Sequence, residues 1–121
     1  MEAPAALKSY EDDVFGGPAM ITGDGRHHEN PAVNYGTGGK LKGRYMISST
    51  WNAPLNAFLA PDEFFEGKGI DATFFGLHKA NQFIGLKPLP SFMCNDVIKN
   101  PTLESDIERL KAHLEKVFGR A

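Results

Sequence analysis

The sequence predicts an α/β fold, a parallel sheet with helices on both faces. Two observations lead there. Helical and strand-like runs alternate in the order helix, loop, strand, helix, strand, helix. The two strand-like runs are joined through a segment of helical period, which is the crossover that parallel strands require. At 121 residues the chain has the size of one small domain, so residues 1–121 are treated as a single unit with one site at most.

The first helix is expected over Ala5 to Phe15. Leu7, Tyr10 and Val14 share a face, Pro4 is tolerated at its start, and Gly16-Gly17-Pro18 stops it. Gly16 to Gly43 is rich in Gly, Pro, Asn and Asp, has no clear period and reads as loop. A loop of that length inside a small domain calls for a functional explanation. Arg44 to Thr50 is a β-prone run broken by Trp51-Asn52-Ala53-Pro54, and is expected as a buried strand. Asp71 to Ile84 sets Phe74, Leu77, Asn81 and Ile84 on one face, with Asp71 as N-cap and Gly85 as stop, and is expected as one helix. Leu89 to Cys94 is a second strand that tolerates Pro90 near its start. Leu103, Ile107, Leu110, Leu114 and Val117 recur at helical spacing between Pro101-Thr102 and Gly119, and define the last helix.

Two strands are few for such a sheet. Parallel strands are buried among neighbours, and a pair alone leaves backbone N–H and C=O groups open along two edges. The first helix also starts close to Met1, with no strand ahead of it to make it a crossover. The expectation is the second part of a larger α/β fold.

Composition narrows the function. Thirteen Lys and Arg stand against 15 Asp and Glu, a net charge of −2 without long runs of one sign, which argues against a nucleic-acid partner. Cys94 is the single cysteine, so no internal disulfide framework exists and a cytoplasmic location is expected. No run approaches the roughly 20 apolar residues of a membrane span, and Met1-Glu2-Ala3-Pro4 lacks the features of a signal peptide.

Several stretches carry candidate chemistry. Tyr35-Gly36-Thr37-Gly38-Gly39-Lys40 has the glycines of an anion cradle but precedes a strand instead of following one, so it is read as a shaped turn. Thr50-Trp51-Asn52-Ala53 lies at the carboxyl end of a strand, where open α/β sheets bind ligands. A tryptophan there either caps a core or lines a pocket, and spacing does not choose between them. His27 and His28 have no third ligand at a metal-binding spacing. His78 is read as a hydrogen-bonded packing residue ahead of a substrate contact, Cys94 as a buried thiol, and Lys40, Lys42 and Arg44 as a solvated face.

Taken together, Tyr35-Gly36-Thr37-Gly38-Gly39, Ser49-Thr50-Trp51-Asn52-Ala53-Pro54, His78 to Gly85 and Asn95-Asp96-Val97-Ile98-Lys99 resemble the NAD(P)H-dependent quinone reductases of the modulator of drug activity B type. The resemblance runs from Met1 to Gly119. It implies a flavodoxin-like parallel sheet of five strands, of which this chain carries strands four and five with their helices as the C-terminal part of a flavin-binding domain. It also implies bound FAD, hydride from NAD(P)H, two-electron reduction of a quinone substrate and a homodimer. By the same resemblance Tyr35, Thr50, Trp51, Asn52 and Ala53 contact the flavin, and no side chain acts as a catalytic base or metal ligand. Because the phosphate-holding loop after a first strand has no counterpart, the chain by itself is expected to bind FAD weakly. The alternative is a non-catalytic half-flavodoxin module, or a truncated product, that pairs its open sheet edge with another subunit.

Overall fold

The computed structural model describes residues 3–119. The Met1-Glu2 start of the resemblance therefore lies outside the described residues. In chain order the elements are α1 (Ala5–Val14), β1 (Arg44–Tyr45), β2 (Ser48–Thr50), α2 (Asn56–Leu59), α3 (Gly69–Thr73), α4 (Phe75–Phe83), β3 (Lys87–Pro88), β4 (Phe92–Cys94) and α5 (Leu103–Phe118). They fall into two compact units, Met1–Tyr45 with Phe74–Pro88, and Met46–Thr73 with Leu89–Ala121. Each unit holds one parallel pair of strands, β1 with β3 in the first and β2 with β4 in the second. The expected parallel pairing is present, but each expected strand is divided in two. The register offset steps from 87 − 44 = 43 to 92 − 48 = 44, so the second run carries one extra residue between its paired stretches. Pro90, which has no N–H to donate, lies in that interval.

In the first unit Pro4 is the N-cap of α1, and its carbonyl accepts from the N–H groups of Leu7 and Lys8 at 3.0 and 3.2 Å. The expected apolar face of α1 is not covered, since Tyr10 is 52% exposed and Glu11 is the buried residue of the helix. The long loop folds back on itself. Thr22 N–H donates to the Gly38 carbonyl at 2.8 Å, Lys40 N–H to Met20 at 2.7 Å, and Gly36 N–H to Asp24 at 2.7 Å. Its end meets the end of α4, where Leu41 N–H donates to the Ile84 carbonyl at 3.0 Å. A Cβ on Gly39 would strike the Ile84–Gly85 backbone and one on Gly85 would strike the Leu41 carbonyl, while Gly85 has φ 106°. Two glycines are needed for that approach. Beneath it lie Phe74 and Ile84, both nearly inaccessible, and His78, buried with Nδ1 2.6 Å from the Tyr45 hydroxyl.

The single helix expected over Asp71 to Ile84 is instead α3 and α4, separated at Phe74 with φ −98° and ψ 22°. Asp71, expected as the N-cap, lies instead in the first turn of α3, and its carboxylate accepts a tertiary hydrogen bond from the Ser91 hydroxyl at 2.6 Å.

The second unit is built around Phe58, which is fully buried. Its ring stacks on Phe65 at 4.2 Å and 6°, and the Trp51 ring meets it edge-on at 5.1 Å. The short α2 that carries Phe58 follows Pro54, whose carbonyl accepts from Ala57 N–H at 3.1 Å. Helix α5 ends at Gly119, φ 69°. It docks on β4 through Arg109, which donates to the Met93 carbonyl at 3.4 Å and stands over the Phe92 ring at 5.1 Å, and which is held by the Asp106 carboxylate at 2.7 Å; that carboxylate also accepts from Thr102 at 3.2 Å. Of the expected apolar stripe, Leu110, Leu114 and Val117 are half-buried, whereas Leu103 is 69% exposed.

Two outcomes follow. Phe58→Ala removes a sealed ring from a stacked cluster and lowers the unfolding free energy by about 3–5 kcal/mol, read by denaturant titration on the fluorescence of Trp51, the one tryptophan. The Arg109 hydrogen bond holds the Asp106 carboxyl below its ordinary value of 3.8. A lowered folded-state pKa contributes stability above the unfolded value and loses it as pH falls through the folded one. Thermal melts of the wild type and Asp106→Asn should therefore differ at pH 7 and converge as the pH drops well below 3.8.

Candidate functional site

Thr50 ends β2 and is paired with Cys94 of β4. The loop that follows is held from the other strand. Trp51 N–H donates to the Cys94 carbonyl at 2.8 Å, Val97 N–H to the Trp51 carbonyl at 3.2 Å, Asp96 N–H to the Ala53 carbonyl at 3.3 Å, and the Asn95 side-chain amide to that same carbonyl at 3.1 Å. Asp96 takes a left-handed backbone, φ 56°, to turn this corner. Two polypeptide segments that leave parallel strands in the same direction are thereby locked together.

The locking commits some donors and leaves others without an acceptor. Trp51 N–H is committed to the ladder, and its indole N–H donates to the Ser49 hydroxyl at 2.9 Å. The backbone N–H groups of Asn52 and Ala53 find no acceptor among the described residues. Trp51, expected as either core cap or pocket wall, packs edge-on against Phe58 and Phe65, with 6.0 Å to the latter, and remains half-exposed. Both expectations for it meet in one ring. The Cys94 thiol is half-buried, and burial, followed by the Asp106 carboxylate, pushes its pKa up; it is a poor nucleophile at neutral pH.

Tyr35 belongs to the first unit and is 71% exposed at the turn before β1. Its ring lies 5.7 Å from Phe83 at 51°, with the Arg26 guanidinium 5.9 Å from its centroid. Thr50, Trp51, Asn52 and Ala53 are brought together in the second unit. Sequence reading gave no role to Asn95, although its place after an apolar strand run marked the end of a second strand. Its fixing of Ala53 depends on the pairing of β2 with β4.

At this end of the β2–β4 pair, two backbone N–H groups without an acceptor among the described residues stand beside the half-exposed Trp51 ring, and strand ends of this kind are where open α/β sheets bind ligands. The chain belongs to the flavodoxin-like fold family, whose model matches residues 1–117. It is 49% identical over 122 residues to the NADPH:quinone oxidoreductase MdaB of Haemophilus influenzae, covering 98% of this chain and 64% of that protein. It is 52% identical over 124 residues to the uncharacterized protein C5H10.05c of Schizosaccharomyces pombe, covering 100% of this chain and 63% of that protein. The chain thus spans just under two thirds of the length of these relatives. The expected flavodoxin-like class is borne out.

Asn95→Ala removes one hydrogen bond that holds the loop. It should lower stability by about 1 kcal/mol and increase acrylamide quenching of Trp51 fluorescence, which a change confined to global stability would not do under native conditions.

Proposed function

We propose that the chain is the C-terminal part of a flavin-dependent NAD(P)H:quinone reductase, with FAD as cofactor, a quinone as substrate and a homodimer as the working assembly. The name of the Haemophilus influenzae relative supports this reading. The observation that carries it is the loop after β2, pinned by Asn95 and Asp96 and leaving the Asn52 and Ala53 N–H groups without an acceptor among the described residues. These donors suit the polar edge of an isoalloxazine. They are pre-set by the β4 segment, so they stabilise negative charge there without rearrangement. The Trp51 indole supplies an apolar edge beside them, and the Thr50 hydroxyl at the strand end is a further polar group. Tyr35, exposed in the first unit, is proposed as a second aromatic contact to the flavin. Bound FAD supplies the hydride chemistry between NAD(P)H and a quinone.

The residues fit the flavin ring better than they fit its phosphates. Among the described residues the Tyr35–Lys40 turn precedes β1, and it does not present a glycine loop between a strand and a helix. We therefore propose that FAD binds this chain weakly. Among the described residues no helix is long and apolar enough to cross a membrane; a cytoplasmic location is part of the proposal. A second reading is favoured by one observation. Among the described residues β2 and β4 each have one strand partner, and the outer edges offer unpaired backbone groups to another subunit. In that reading the chain is a non-catalytic module.

Titration with FAD, followed by flavin fluorescence, should give saturable quenching. Tyr35→Ala and Trp51→Ala should each weaken it about tenfold, and saturating FAD should support NAD(P)H-dependent reduction of a simple benzoquinone. No saturable quenching, or quenching unchanged in both variants, removes the flavin reading. A discrete dimer by native mass spectrometry without flavin binding supports the module.

A further inference from the structure

The first unit contains a cavity of about 800 Å³ bordered by α1, the Tyr35–Gly36 turn and α4. One side is aromatic, formed by Phe15, Tyr35 and Phe83. The other side holds Glu11, which is 8% exposed and whose carboxylate has no hydrogen-bond partner among the described residues. No fully sealed side-chain oxygen or nitrogen among those residues lacks a partner, so the Glu11 oxygens are not sealed off, and Glu11 lines the cavity. Lys8, Asp12 and Lys79 also line it. Lys8 pairs with Asp12 at 3.0 Å and Lys79 donates to Gln82 at 2.9 Å, which leaves each ammonium with further N–H donors.

A carboxylate only accepts hydrogen bonds, so a buried one that accepts none within the fold selects a ligand edge that carries N–H groups and rejects a carbonyl in the same place. Aromatic side chains favour a flat ring. Lys8 is offset by Asp12 and Glu11, whereas Lys79 is hydrogen-bonded to the neutral Gln82 and favours an anion. The volume lies in the range of small-molecule pockets, roughly 300–1,000 Å³. We propose that this cavity binds the amino-bearing heteroaromatic ring of a nucleotide, with the exocyclic amino group donating to Glu11, the ring against Tyr35 and Phe83, and a phosphate meeting Lys79. The inference rests on the quinone-reductase reading for its biological ligand, because NAD(P)H carries two such rings, an adenine and a nicotinamide carboxamide.

Calorimetric titration of the full 121-residue chain tests it with two pairs of probes. These are adenosine against inosine monophosphate, and nicotinamide against nicotinic acid mononucleotide. In at least one pair the amino-bearing member should bind about tenfold more tightly or better, and the pair that discriminates identifies which end of the dinucleotide the cavity takes. Glu11→Ala should erase the discrimination, while Glu11→Gln, which retains a carbonyl acceptor, should keep part of it. Alanine favours helix, and circular dichroism should show α1 retained. Equal binding within both pairs, absence of binding by both amino-bearing probes, or discrimination that survives Glu11→Ala overturns the proposal. These measurements need neither flavin nor turnover, so failure here and failure of the FAD titration are separate results.

Discussion

The hydrogen bonds between the loop after β2 and the segment after β4 are the constraint on which the second unit depends. Backbone groups at the end of a parallel strand pair must find partners or remain in water. Here Cys94, Asn95, Asp96 and Val97 take up both Trp51 backbone groups and the Ala53 carbonyl. What remains is a pair of donors on Asn52 and Ala53 without an acceptor among the described residues. The Trp51 indole packs on Phe58 and Phe65 in the same loop, so the hydrophobic cluster and the donor pair are parts of one arrangement. For the proposed site, a loop held this way would lose little conformational entropy on binding.

In the first unit the governing constraint is close backbone approach. Gly39 and Gly85 let the end of the long loop meet the end of α4, where any Cβ would collide. The carbonyl of Ile84 then accepts from Leu41, and the part-buried Tyr45–His78 hydrogen bond ties β1 to α4. The loop's length is thus not slack. It is bridged through Ile21 and Gly39, and the turn that presents Tyr35 is bonded back to Asp24.

The placement of charge completes the picture. Asp106 is buried and doubly hydrogen-bonded at the foot of α5, where it holds Arg109 against β4. Glu11 is equally buried but faces a cavity without a partner. One carboxylate is hydrogen-bonded within the fold, and the other accepts no hydrogen bond among the described residues. That difference is the basis of the recognition role proposed for Glu11.

The sequence by itself determined the order of elements, the parallel crossover, the limits of α5 and the position of Thr50–Ala53 at a strand end, because periodicity, strand propensity and Gly/Pro punctuation are local signals. It also placed the glycine-rich turn correctly before a strand. Only the tertiary structure decided that the strands would divide at Met46–Ile47 and Leu89–Ser91, that Asp71 would bond Ser91 and the helix would break at Phe74, that Leu7 and Tyr10 would lie open while Glu11 was buried, and that Trp51 N–H would be consumed in the ladder. The physical reason is common to all four. Each outcome is set by which groups from distant parts of the chain come to lie against one another, and spacing along the sequence does not carry that information.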